Sequence, residues 1–565
     1  MRASRLKSIA GHAAALMLFA SLAACGGGGG GDSAPAAGTG APVNVPSGSV
    51  QALQPACTGC SAVDASTYSG SGTGVWQADN IGTSPTNVPL SINGLRGQKV
   101  TLVFTNESSA NQTMPGIALT QSVTVAHSLL QSESAASAQG EDPTLAAIRQ
   151  FNYKGWADLA STAKSQAVMR SQVAVPSSPS ASYSVNAQRD FYYSDLSLRH
   201  TTLEEQATTQ DGTTINLWVE NTELGTTQMT PALVHTLLMS YAQPGGIYDM
   251  VTGVGGKLYG PNSQTVLIDG TNQPIDLVVL NFNHDGKAFG TIGYFWGLND
   301  FKKGTGQSAY SNESISLYLD SETLYLGGAS GFQQMLTTMA HESTHMQNFY
   351  RRAVLMGSQY AFEPWLEEMS AMMMEDWTSF NIDPTHAFNA IRDVRFYDFM
   401  TYNNHGSYNC GLTNWTPFAT DCESYSVSGS FGGFLNRQLG LAFYKALLTN
   451  KGQTDSLAIL NDVINQIRPG SSVQQELRHF SAAAEGLIPA TTNVAQYAFP
   501  ARSEGGFTLP AIDPTSSEYP RALPAAVPAV LMSLGSFPVV RPAVTGTYTE
   551  TVRVPPGTTL SVIID

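Results

Sequence analysis

Two histidines four residues apart, His341 and His345, stand inside a run from Phe332 to Met356 that contains neither proline nor glycine. That run is long enough for a helix, and residues four apart on a helix lie on one face. Leu336, Met339 and Ala340 before the pair, and Met346, Phe349 and Tyr350 after it, are apolar. The helix is therefore expected inside a domain, where buried imidazoles need partners. One ion between the two rings is such a partner. Glu342 follows His341 directly, placed to take a proton from an attacking water rather than to bind the ion. From 10 His and 43 Asp plus Glu in 565 residues, roughly 0.01 such pentapeptides arise by chance.

A metal site that does chemistry has three protein ligands and an open position, so a third ligand has to come from elsewhere in the chain. Eighteen residues beyond His345, Glu363-Pro364-Trp365-Leu366-Glu367-Glu368-Met369 begins a second helical pattern, with Pro364 suited to a first turn. Met372, Met373 and Met374 within it read as core filler. Glu367 and Glu368 are the candidate third ligands. Neighbours on a helix project about 100° apart, so only one of them can face the metal. Glu375 and Asp376, two turns further, are placed to orient an imidazole.

His-Glu-x-x-His followed by Trp-Leu-x-Glu resembles the gluzincin class of metallopeptidases, in which the third zinc ligand is a glutamate on the next helix. That resemblance implies Glu368 as the ligand, with Glu367 as the fallback. The stretch from Ser311-Asn312-Glu313 through the motif to Trp365 resembles the hyicolysin family of secreted bacterial zinc peptidases. The resemblance implies an α+β fold with a gluzincin-like catalytic domain and one Zn²⁺ per chain on His341, His345 and Glu368. It also implies Glu342 as general base and protein or peptide substrates. Related gluzincins place an oxyanion-stabilising tyrosine about sixty residues beyond the glutamate ligand, and Tyr425 fits that place. His405 is a second candidate donor, against an ordinary loop histidine. The strand expected over Ser314 to Leu319 is, by the same resemblance, the cleft edge that pairs with an extended substrate. No Gly-x-Met-x-Asn strand of the aminopeptidase gluzincins precedes His341, which favours endopeptidase action. The competing reading is a non-catalytic surface adhesin with a structural or vestigial zinc site.

Arg2, Arg5 and Lys7 precede an apolar run from Ala13 to Ala24 that ends in Leu22-Ala23-Ala24-Cys25. This resembles a bacterial lipoprotein signal, with residues 1–24 removed and Cys25 lipidated as a membrane anchor. Gly26 after the cysteine points to the outer membrane by the same resemblance. Export permits disulfides, and Cys57–Cys60 and Cys410–Cys422 are the local pairings among three possible connectivities. Net charge is −15, with no basic cluster beyond the N-terminus, which argues against nucleic-acid partners.

Composition divides the rest. Residues 25–74, rich in Gly, Ala and Ser, read as a flexible tether. Residues 75–130 read as a small β-domain, 131–190 as a linker with short helices, 191–488 as the peptidase domain and 489–565 as a Pro-rich β-module. Asp276 to Phe282 and Gly290 to Trp296 read as the arms of a hairpin around Asn283-His284-Asp285-Gly286. Two tail strands are expected around Pro555-Pro556-Gly557, forming a second β-module or adding to the first.

Overall fold

The computed structural model of the chain describes residues 51–119, 141–169, 182–382 and 394–565. The signal sequence, Cys25 and the first half of the expected tether lie outside these residues, as does the expected strand near Ser122. Among the described residues, no helix is long and apolar enough to cross a membrane.

A six-stranded mixed sheet positions the site. Its strands are β1 (Gln188–Tyr192), β2 (Leu198–Thr208), β3 (Thr214–Glu220), β4 (Ile275–Leu280), β5 (Gly293–Phe295) and β6 (Ser316–Asp320), in the order β5-β6-β4-β3-β2-β1. β4 runs parallel to β3 and β6, and β5 is antiparallel to β6. Strands β4 and β6 are buried at every position, including the polar Asp276, Ser316 and Asp320, as expected for strands inside a sheet covered on both faces. Strand order corrects two expectations. The segments flanking Asn283 to Gly286 do not form a hairpin, because β6 inserts between β4 and β5. The edge of the sheet on this side is accordingly β5, not the strand expected over Ser314 to Leu319. Local periodicity carries strand identity but not strand order.

The carboxylate of Asp276 ties the sheet together from β4. It accepts from Arg189 (3.1 Å), Asn216 (2.7 Å) and Trp218 Nε1 (3.0 Å). Asn312 works beside it: its amide oxygen accepts from Tyr192 N, and its nitrogen donates to Tyr192 O and Tyr318 Oη. The Ser311-Asn312-Glu313 segment is therefore a brace between β1 and β6.

The helices named below are α1 (Pro143–Gln150), α2 (Trp156–Met169), α3 (Pro231–Ala242), α4 (Ile247–Gly255), α5 (Gly328–Asn348), α6 (Pro364–Ile382), α7 (Ser424–Thr449), α8 (Ser456–Ile467) and α9 (Val473–Glu485). Their starts follow from capping chemistry. Asp142, Thr230, Asp455 and Ser472 each accept from a backbone N–H in the first turn of α1, α3, α8 and α9, satisfying an otherwise orphaned donor. Helix α5 continues through π turns from Phe349 to Met356 and stops at Gly357, where φ is 127°. Met372, Met373 and Met374 of α6 are fully buried against its neighbours. Helix α7 starts at Ser424, where the Glu423 side chain caps the N–H groups of Tyr425 and Ser426.

The two ends of the chain share one sheet. Strand Thr86–Asn106 pairs with Ser536–Val554 along its length and with Thr558–Ile564 over its last seven residues. The tail strands therefore do not close on each other as a hairpin; the N-terminal strand lies between them. The tether expectation also fails for residues 51–74. Short strands at Gln54–Pro55, Ala62–Asp64 and Thr67–Tyr68 join this sheet, with Leu53 and Tyr68 buried. A segment too poor in apolar residues to fold alone can fold on the strands that follow it, here Gly74–Asn80 and Thr86–Asn106. Cys57–Cys60 and Cys410–Cys422 are disulfide-bonded, the local pairings.

Candidate metal centre and cleft

The α5 ladder places His341 and His345 one turn apart, with ring centroids 4.6 Å from each other. Helix α6 packs across α5, and its second turn brings Glu368 to the same point. One ligand atom from each of His341, His345 and Glu368 lies within 4.8 Å of the others. The Nε2 atoms of the two rings are 3.2 and 3.7 Å from Glu368 Oε2. Donors held at 2.0–2.1 Å around a tetrahedral ion stand about 3.3 Å apart, so this spacing suits zinc.

Carboxylates address the far sides of both rings. Glu375 Oε1 is 2.9 Å from His341 Nδ1, and Glu367 Oε1 is 2.9 Å from His345 Nδ1. Each Nδ1–H donates outward, which leaves the Nε2 lone pairs aimed at the shared point. Glu367 also accepts from Asn348 (3.1 Å). The two glutamates left open by helical geometry thus divide, Glu368 toward the shared point and Glu367 behind a ring. Of the second pair, Glu375 supports a histidine, whereas Asp376 binds Arg437 through two bonds of 2.6 and 3.1 Å and braces α6 against α7. The donor set, its burial and its outer carboxylates fit a zinc ion.

Glu342 is buried at 7 % exposure and lines the cavity beside both histidines. Burial pushes its carboxyl above the usual range, and the histidines only partly oppose that. Glu368 goes the other way. Burial works against its charge, but His345, His341 and Arg149 together hold it well below the carboxylate range.

Edge strand β5 passes directly over α5, and Gly293, Tyr294 and Phe295 line the cavity. Gly293 is required by this approach: a Cβ there would meet Thr338 Cγ2 at 2.8 Å and Tyr318 O at 3.0 Å. Tyr425, in the first turn of α7, lines the same cavity, packed against Trp415 and Phe418. His405 does not line it; its ring nitrogens face the carbonyls of Gly406 and Thr420. Sequence reasoning missed Arg149, whose Nη1 lies 3.5 Å from Glu368 Oε1 and donates to Tyr425 Oη at 3.3 Å. A single arginine in a short helix gives no sequence signal of such a place.

Two histidines on one helix, a glutamate on the next and the edge strand of a mixed sheet above them define the site of a zinc metallopeptidase. The chain belongs to the peptidase M30 family, whose model matches residues 195–565. It is a metallopeptidase, a hydrolase of peptide bonds, which sets aside the adhesin reading. A domain of unknown function (DUF8571) matches residues 55–119. No match is found among curated proteins. The family match runs to the last residue, so the C-terminal strands are part of the family's own unit rather than an appendage.

Proposed function

We propose that this chain is an exported endopeptidase that holds one zinc ion on His341, His345 and Glu368. The observation that carries this reading is the convergence of two Nε2 atoms and one carboxylate oxygen, each ring fixed from behind by its own carboxylate. Zinc supplies Lewis acidity, lowering the pKa of water and polarising a carbonyl. The other steps belong to the chain's residues. Glu342, buried beside both histidines, takes a proton from the attacking water and delivers it to the leaving amine. Tyr425 donates its hydroxyl to the oxyanion of the tetrahedral intermediate. The edge groups of β5 hold an extended peptide by backbone hydrogen bonds. An internal stretch of polypeptide suits such an edge, and the absence of a Gly-x-Met-x-Asn strand upstream of His341 supports endopeptidase over aminopeptidase action.

Glu342→Gln tests the reading. Casein hydrolysis should fall by about three orders of magnitude while zinc content stays at one per chain; wild-type rates in the variant would refute the base assignment.

The N-terminal residues support export with a lipid anchor at Cys25, and the outer membrane is the proposed destination. Two disulfides accord with an oxidising compartment. Wild-type protein should partition with membranes into detergent, and Cys25→Ser should release it or block its processing. Recovery of the wild type mainly in the soluble fraction would refute the anchor.

A further inference from the structure

The cleft is already in use. Helix α1, the π turn Phe151–Gly155 and helix α2 precede the residues matched by the peptidase family, yet Leu145, Ile148, Arg149, Asn152 and Tyr153 line the same cavity as His341, Glu342 and Glu368. Asn152 makes the informative contact. Its Nδ2 donates to Phe295 O at 2.9 Å, and its Oδ1 accepts from Gly297 N at 2.8 Å. A carbonyl and an N–H two residues apart at a sheet edge are the pair that one residue of an added parallel strand satisfies. Here a side-chain amide satisfies both, where β5 passes through extended Trp296 into the 3₁₀ turn that begins at Gly297.

Arg149, one turn earlier, covers the metal side. Its guanidinium is 3.5 Å from Glu368 and bonds the Tyr425 hydroxyl that faces the cleft; it also pairs with Glu141. Apolar contacts hold the segment down. Phe151 meets Trp296 and Phe301 edge-on at 6.3 and 6.1 Å, and Trp156 meets Phe349 at 5.4 Å. Phe151, Trp156 and Ile148 are at most 5 % exposed.

We infer that the α1–α2 segment is an internal competitor for substrate, occupying the backbone groups of Phe295 and Gly297 and the space beside Glu368 until an extended polypeptide displaces it. This rests on the peptidase reading of the cleft. One pair of edge groups cannot bond Asn152 and a peptide backbone at once, so affinity for peptide is lowered by whatever free energy holds the segment down. The contacts made by Arg149 and Asn152 are polar and replaceable by a peptide. The aromatic contacts of Phe151 and Trp156 with Trp296, Phe301 and Phe349 anchor the segment.

The test uses the full chain with Asn152→Ala, Arg149→Ala and the pair, each checked for folding by thermal melting. In a Glu342→Gln background, a fluorescein-labelled casein-derived peptide of about twenty residues should bind roughly ten-fold more tightly to the double variant than to its parent. With Glu342 intact, kcat/KM on that peptide should rise by a similar factor, mainly through KM. Hydrogen exchange of residues 143–169 in the Glu342→Gln protein should speed up when the peptide is added. Unchanged peptide affinity and a segment that stays protected with peptide bound would overturn the inference, making α1–α2 a fixed wall. A fall in kcat on Arg149→Ala with unchanged peptide affinity would overturn it too, assigning Arg149 to the chemistry. If no form hydrolyses any peptide although zinc is bound, the peptidase reading fails, while peptide binding and exchange still judge the segment.

Discussion

Glu367 and Glu368, adjacent in the chain, address opposite nitrogens of the same imidazole. Glu367 Oε1 is 2.9 Å from His345 Nδ1, and Glu368 Oε2 is 3.7 Å from His345 Nε2. Their divergence along α6 lets two like residues do different things, one at the ion's point and one behind a ligand.

That division predicts unequal losses. Glu368→Ala should abolish stoichiometric zinc retention on dialysis. Glu367→Ala should keep one zinc per chain with affinity lowered about 10–100-fold. Competition with a chromophoric chelator measures both, and the reverse ranking would move the third ligand by one residue.

Removing the Tyr425 hydroxyl should touch the chemical step more than binding. Tyr425→Phe is expected to lower kcat by about 10²–10³ with KM little changed, as for loss of one oxyanion donor. Steady-state kinetics on a quenched fluorescent peptide decide it. A loss confined to KM would make Tyr425 a contact for the substrate rather than a donor to the intermediate.

Gly293 is where the edge strand comes closest to α5. A side chain there meets Thr338 and the Tyr318 backbone, so β5 must move away from Glu342. Gly293→Val should cut kcat/KM about ten-fold or more while zinc stoichiometry is retained, because the ligands sit on α5 and α6. Wild-type kcat/KM in this variant would mean that the edge strand does not position substrate.

Glu485 provides a pH signature remote from the metal. It is fully buried at the end of α9, is hydrogen-bonded to Ser536 of the terminal sheet, and is pushed up to about 8 by burial, which Ser536 and Arg521 only partly offset. The folded chain therefore keeps a proton that the unfolded chain releases near its ordinary value. Its contribution is fully present below about pH 4.5 and is lost as pH rises to about 8. Glu485→Gln removes this dependence. Relative to the variant, wild-type stability should decline between about pH 5 and 8 by an amount on the order of a few kcal/mol. Melting profiles that run parallel across that range would refute the buried-proton assignment.

What the sequence determined by itself is local. The His341–His345 face and the methionine core of α6 follow from helical spacing, encoded within a few neighbouring residues. The site was legible because most of it sits on two consecutive helices whose faces can be read from periodicity. Tertiary structure decided what periodicity does not encode. Sheet order placed β6 between β4 and β5 and so made β5 the edge. Pairing of Thr86–Asn106 with the last strands made one sheet of the two ends, which the strands of residues 51–74 join. Packing of α6 on α5 chose Glu368 over Glu367, and packing of α1 and the turn after it on the cleft brought Arg149 to Glu368 and Asn152 to Phe295, far apart in the chain. Such contacts depend on which distant surfaces bury one another, and no window of the sequence contains both surfaces.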